Sequence, residues 1–336
     1  MFKSRISLIR KLALVGGALT VATAISGAAM AETTWKIGWT TPDAPSDPYA
    51  MTAHYLAEEL ENAVPGKFKL QNFSNHQLGD ETEMLQGLQL GTLDAAVITG
   101  TFIGNIVPSF QLNDLPFLYG SYEQAHKVLD GKAGDIMFKQ LTDKGIVGLG
   151  FAQAGFRHVI NNIRPINTPE DLKGIKLRVQ PSDIFLDSFR ALGANPVPMA
   201  WSEVFTAVQQ GTIDGLEIPI PVIYSSKMTE VNKYLSLTNH TYNALAVVVS
   251  KQSFNRLSSD EQQAVRNAAR AAITRQRKTT SENEAQILQK IKDTGMQVNE
   301  VADLSLFRDR VSTIYDKYRK TIGSEVMDAA LAQVKN

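Results

Sequence analysis

The chain has 336 residues, with 34 Lys+Arg balancing 34 Asp+Glu, five His and no Cys. At roughly 100–200 residues per domain this length suggests two or three domains, and a 43% hydrophobic, 20% charged composition is that of an ordinary globular protein. The absence of Cys excludes disulfides, Cys-ligated metals and thiol nucleophiles, and the zero net charge gives no electrostatic reason to expect nucleic acid.

Residues 1–31 carry Lys3, Arg5, Arg10 and Lys11 and no acid, followed by an apolar stretch from Leu12 to Gly27 and then Ala29-Met30-Ala31. A basic start, a short apolar stretch and a small-x-small cleavage pattern predict a cleavable export signal. The apolar stretch is short for a ~20-residue membrane span. Removing these residues, which hold four basic groups, leaves 30 basic against 34 acidic side chains.

The remaining chain alternates between strand and helix patterns, predicting an α/β fold. Thr34–Thr40 reads as a strand. Asp47-Pro48 opens a helix, with Asp as N-cap and Pro at the first position, running to about Asn62. Lys67–Phe73 alternates as a second strand. Further helices are expected near Ser121, Thr168-Pro169, Ser182 and Ser202, and several stop at Gly: Gly145, Gly174, Gly193 and Gly211. Ile146–Phe151 and Leu245–Val249 read as short buried strands. From Ser259 to Thr294 there is neither Pro nor Gly, which allows a helix of ~54 Å that either ties two lobes together or breaks near Thr279-Thr280-Ser281. A final helical region covers about Leu304–Gln333.

Glu83–Asp94 (EMLQGLQLGTLD) returns 120 residues later as Glu203–Asp214 (EVFTAVQQGTID), identical at five of twelve positions. Two lobes on one plan explain this echo; the alternative is that helix–Gly–strand joints simply look alike.

No reactive constellation is evident. His54, His76, His126, His158 and His240 are too far apart for a HExxH-type motif and are expected at the surface or core edge. Gly148-Leu149-Gly150 lacks the third glycine of a dinucleotide fingerprint, and there is no nucleophile elbow or Walker sequence. Arg157 and Arg178 stand in mostly apolar, strand-like surroundings, where burial calls for an anion. From those two residues alone, a salt bridge to a protein acid is the favoured reading.

Taken together, QLGDETEML (77–85), GTLDAAV (91–97), DLPFLY (114–119), LKGIKLRVQPS (172–182), GANPVPMAWSEVF (193–205) and DGLEIP (214–219) closely resemble the solute-binding proteins of tripartite ATP-independent periplasmic (TRAP) transporters, the DctP family, over essentially all of 32–336. The resemblance implies a two-lobe periplasmic binding fold with hinge strands and a long helix spanning both lobes. The lobes are expected at 32–154 plus 244–283 and at 155–243 plus 284–336. It implies a monomeric periplasmic protein that captures a small organic acid, a sugar acid such as a uronate or aldonate foremost, and delivers it to one large and one small integral membrane subunit driven by sodium. A C4-dicarboxylate or an aromatic or branched monocarboxylate is the alternative ligand, and a periplasmic enzyme acting on an acidic sugar is the alternative of another class. Neither catalysis, a cofactor nor a metal is implied.

By the same resemblance Arg178 holds the ligand carboxylate in a bidentate pair and Arg157 supplies a second arginine. Trp201 lays a ring against the ligand and Glu81 accepts from its hydroxyls. Thr40 and Thr99 match polar cleft positions. The chain departs from the pattern at Ile218, where many relatives have Asn, so a polar contact is lost or supplied by Glu217, Asn195, Tyr242 or Asn243. Both guanidinium groups are expected to converge in one pocket with no protein acid on either.

Overall fold

The computed structural model describes residues 32–334. The export signal expected at 1–31 lies outside the described residues.

Nine strands form one sheet: β1 (Thr33–Gly38), β2 (Phe68–Phe73), β3 (Ala95–Thr99), β4 (Ile146–Asn161), β5 (Lys176–Val179), β6 (Asn195–Pro198), β7 (Gly215–Pro219), β8 (Tyr234–Ser250) and β9 (Gln297–Glu300). Their order is β2-β1-β3-β8-β4-β7-β5-β6, with β9 beside β8. The short apolar stretches at 146–151 and 245–249 are the ends of two strands of 16 and 17 residues, which run antiparallel through the middle of the sheet. β3 pairs with the C-terminal end of β8, whereas β7 pairs with the C-terminal end of β4. Each long strand therefore serves both halves of the sheet, which is what hinge strands must do.

The two halves have the same plan. β1 lies parallel to β2 and β3, and β3 is antiparallel to β8; β5 lies parallel to β6 and β7, and β7 is antiparallel to β4. The sequence echo falls on matching joints, each with a left-handed glycine (Gly91 and Gly211) between helix and strand. Its final acids also do the same work: Asp94 accepts from the Lys36 amide at 3.0 Å and Asp214 from the Lys176 amide at 2.8 Å, each tying its joint to the first strand of its own half.

The helices are α1 (Pro48–Ala63), α2 (Glu81–Leu90), α3 (Gly100–Gly104), α4 (Tyr122–Leu129), α5 (Lys132–Asp143), α6 (Asp183–Ala191), α7 (Trp201–Gln209), α8 (Ile220–Ser225), α9 (Lys251–Asn255), α10 (Ser259–Asp293), α11 (Ser305–Val311), α12 (Ile314–Ile322) and α13 (Ser324–Val334). They cover both sheet faces, so the central strands are apolar on both sides. Along β8, Ala246 and Val248 enter one core while Val247 and Val249 enter the other.

The long helix does not break. α10 starts in a capping box made by Ser258 and Glu261 and passes unbroken through Thr279-Thr280-Ser281. Tertiary contacts override the weak local propensity there: Thr280 is buried and accepts from Gln276, and Ser281 accepts from Gln153 on β4. α10 packs on α1 and β4 and on α8, so it spans the two halves. Two other expectations change. The helix start at Thr168-Pro169 gives only the 3-10 turn Pro169–Leu172, closed by a Thr168–Asp171 capping box. The C-terminal helical region is three helices, of which α13 packs back on α4 and α5. Gly148 belongs to a bulge in β4, where a Cβ would lie 1.9 Å from the Phe138 ring, so the glycine makes room for an aromatic side chain.

Candidate functional site

Where the two halves face each other, a pocket with an empty volume of about 340 Å³ is lined by residues of both. Thr40 and Thr41 follow β1, Tyr49 lies on α1 and Glu81 begins α2; from the other half come Arg178 and Gln180 of the β5 segment, Trp201 at the head of α7, and Ile218, Pro219 and Val222 around the end of β7. The long hinge strands contribute Arg157 and Asn243. The expected residues Arg178, Arg157, Trp201, Glu81 and Thr40 thus come together.

The two arginines are not equivalent, and here the expectation of two unpaired guanidinium groups is corrected. Arg157 already has a protein acid: its Nε and Nη2 donate to the Glu217 carboxylate, Nη2 donates also to the Glu217 carbonyl at 2.7 Å, and Nη1 donates to Asn243 Oδ1 at 2.8 Å. Four of its five N–H groups are engaged, leaving one. Burial alone would raise the Glu217 carboxyl, but Arg157 and His240 outweigh that and hold it below the usual range. Glu217 is therefore spent on Arg157 and His240 and does not line the pocket.

Arg178 forms no ion pair among the described residues. Its Nε and Nη2 both donate to the Met199 carbonyl, at 3.0 and 2.8 Å, which leaves three N–H groups at the end of the fork. Only 2% of the residue is exposed. Burial lowers its pKa to about 10, so it stays cationic at neutral pH. The Trp201 ring lies 5.8 Å from the guanidinium carbon, a cation–π contact.

Other expected residues stand behind the pocket wall. Thr99 is buried, its amide donating to Glu81 at 2.7 Å and its hydroxyl bonding to the Tyr49 hydroxyl at 2.7 Å, so it positions two lining residues. Tyr242 packs among Tyr119, Tyr122 and Phe156, away from the pocket, because its position on β8 directs it into an aromatic cluster. Asn195 lies on the edge strand β6 and is exposed. Of the polar groups named as substitutes for the amide missing at Ile218, Asn243 lines the pocket, and its Nδ2 is buried without a hydrogen-bond partner. His158 and His240 are buried rather than at the surface or core edge as expected, and burial lowers the pKa of both. Sequence reasoning also passed over Tyr49, Gln180 and Val222. Gln180 carried a signal, since it lies two residues after Arg178, just past the end of β5, where an extended chain keeps it on the same face.

Burial pushes the Glu81 and Asp114 carboxyls up to about 7. A carboxyl whose folded pKa exceeds its unfolded value makes the folded protein less stable as pH rises between the two values. His158 and His240, with lowered pKa, favour stability as pH rises, but only up to about 6.5, the unfolded histidine value. Above that only the acids of this set titrate, so the melting temperature should fall between pH 6.5 and 8. Glu81→Gln should flatten the decline; a melting temperature that rises across this window would contradict it.

A family profile described as bacterial extracellular solute-binding protein, family 7 (DctP), matches residues 40–321. The chain is 35% identical over 309 residues to the 2,3-diketo-L-gulonate-binding periplasmic protein YiaO of Escherichia coli K12, covering 91% of this chain and 94% of that protein. A TRAP periplasmic solute-binding protein from Polaromonas, solved with D-erythronate, superposes with a TM-score of 0.86 at 39% identity over 90% of this chain and 99% of that one. The sugar acid-binding protein of Advenella mimigardefordensis, solved with galactonate, superposes with a TM-score of 0.87 at 32% identity over 90% and 98%.

Proposed function

The chain belongs to the DctP family of TRAP-type bacterial extracellular solute-binding proteins, and from that premise we propose that it captures a small hydroxylated monocarboxylate, a sugar acid, and hands it to membrane subunits. The single observation that carries the choice of ligand charge and anchor is Arg178: a buried cation whose fork ends in the pocket with no protein carboxylate on it. A ligand carboxylate would accept two parallel bonds from that fork. The remaining Arg157 N–H and Asn243 Nδ2 would donate to a second oxygen, Glu81 and Thr40 would meet hydroxyls, and Trp201 would cover a C–H face. Ile218, Pro219 and Val222 form an apolar wall that leaves room for an unsubstituted or branched edge.

On this reading the protein returns its ligand chemically unchanged, acts as a monomer in the periplasm, and loses residues 1–31 on export. We assign one lobe to 32–154 with 244–283 and the other to 155–243 with 284–336, amended at the C-terminus, where α13 packs on α4 and α5 and so goes with the first lobe; the exchange of partners along β4 and β8 supports the division of the sheet. The mobile element would be the relative position of the two halves, with bound acid favouring the closed arrangement.

A thermal-shift panel tests the ligand class. D-Erythronate, D-galactonate or D-glucuronate at 100 times its dissociation constant should stabilise the protein by ~2.7 kcal/mol. Succinate at the same concentration should do less, because one free fork faces two carboxylates. Equal or greater stabilisation by succinate, with none by the three hydroxy acids, would overturn the proposal. Trp201→Ala should weaken binding by about tenfold, in line with ~1 kcal/mol or more for a lost cation–π and stacking contact, checked by calorimetry.

A further inference from the structure

Asp114 ends the 3-10 turn Pro108–Asp114, outside the pocket lining, and is buried with no cation among the described residues bonded to its carboxylate. Its two oxygens are satisfied by hydroxyls from opposite sides of the cleft: Thr101 on α3 donates to Oδ1 at 2.7 Å, and Ser182, at the start of α6, donates to Oδ2 at 2.8 Å. Thr101 also lies 3.1 Å from Gln180 Oε1, and Asn105 Nδ2 donates to the Pro181 carbonyl at 3.4 Å. Pro181 and Ser182 are thus held by the facing half of the molecule, with Gln180 next to them. They directly continue β5, which carries Arg178.

Ser182 occupies an N-cap position yet its side chain makes no cap bond; it is turned to Asp114 instead. A serine at this position normally accepts from an amide of the first turn. Here the helix start forgoes that bond and the hydroxyl serves a contact across the cleft. Two more carboxylate–serine bonds follow the same pattern, with the acid on one side and the serine on the other: Asp80–Ser202 at 2.5 Å and Asp47–Ser225 at 2.7 Å. The Asp80–Ser202 bond is exposed, whereas Asp47 is fully buried and its partner Ser225 half-buried.

We propose that Asp114 is a positioning residue for Arg178: by gripping Ser182 it locks the segment that continues β5 against the opposite side of the cleft and so holds the carboxylate-binding fork in place once the site has closed. The proposal rests on the function argued above and deepens it. A bond that exists only when the two sides meet cannot speed encounter. It slows release.

The test measures association and dissociation rates of D-galactonate, D-erythronate and D-glucuronate by stopped-flow fluorescence, using the full chain. Ser182→Ala, which removes no helix cap, should raise the dissociation rate by at least about tenfold, the loss expected for a hydrogen bond to a carboxylate, while the association rate changes by less than about threefold. Asp114→Ala should do the same, Asp114→Asn should recover part of the loss, and Asp114→Ala/Ser182→Ala should release no faster than Asp114→Ala alone, because both changes remove one shared bond. Ligand-free melting of Ser182→Ala should match the parent. Unchanged dissociation in Ser182→Ala, or losses that multiply in the double variant, would overturn the proposal. Arg178→Ala in the same assay separates the two levels: if it binds like the parent, the carboxylate anchor is wrong, whereas if it fails while Ser182→Ala is normal, only the positioning role falls.

Discussion

Arg178→Ala should abolish the stabilisation of this protein by a bound acid. The fork presents two parallel charge-assisted bonds, each contributing ~1.5–3 kcal/mol, so their loss lowers affinity by roughly 10²- to 10⁴-fold. Arg178→Lys should recover little, since an ammonium offers a point charge in place of the planar pair of donors. Ligand-free melting should change far less, because among the described residues no protein carboxylate is ion-paired with Arg178 and its hydrogen bonds go to the Met199 carbonyl. This asymmetry distinguishes an arginine kept for an outside anion from one that holds the fold. Calorimetry with D-galactonate or D-erythronate against the parent reads the affinity, and scanning calorimetry reads the stability. Retained affinity in Arg178→Ala would remove the carboxylate anchor.

Glu217→Ala should have the opposite signature, a large loss of stability. It would strand the Arg157 guanidinium, 2% exposed, without its acid and deprive His240 of its acceptor. Breaking a buried pair on one side costs ~3–5 kcal/mol, because the remaining charge stays desolvated. For a chain of this size that is a fall of roughly 5–8 °C in melting temperature. Glu217→Gln, which keeps the volume and one acceptor oxygen, should lose about half as much. Replacing both partners, Arg157→Leu with Glu217→Leu, should recover much of the loss, since the stranded charge is then gone. A Glu217→Ala variant that melts within a degree of the parent would mean that Arg157 finds another acid, Asp114, whose carboxyl Arg157 already lowers, being a candidate.

Much of the architecture is legible in local chemistry. The Asp47-Pro48 helix start is observed as drawn, with Asp47 Oδ1 accepting from the Tyr49 and Ala50 amides. The twelve-residue echo marks equivalent joints because glycine and aspartate each have one local task there: a left-handed stop, and an acceptor for the amide of a neighbouring strand. The full lengths of β4 and β8 were not legible. Their outer ends are polar (Arg157, His158, Asn161; Thr238, Asn239, His240), yet all of these but Asn239 are buried, and Arg157 and His240 bond to protein partners rather than to water.

The amino-acid sequence by itself determined the α/β class, the doubled plan, the family, and the gathering of Arg157, Arg178, Trp201 and Glu81 around one cleft. Only the tertiary structure decided which arginine is free. Register does this: in the antiparallel pairing of β4 with β7, Val159 faces Glu217, which places Glu217 diagonally beside Arg157 on the same side of the sheet. Arg178 sits on β5, whose partners β6 and β7 run parallel to it and bring no acid to its fork, only the carbonyl of Met199. Two arginines in similar apolar sequence surroundings therefore end with different tasks, because charge pairing is set by which strands meet and where, a property that residues 60 apart in the chain acquire only on folding.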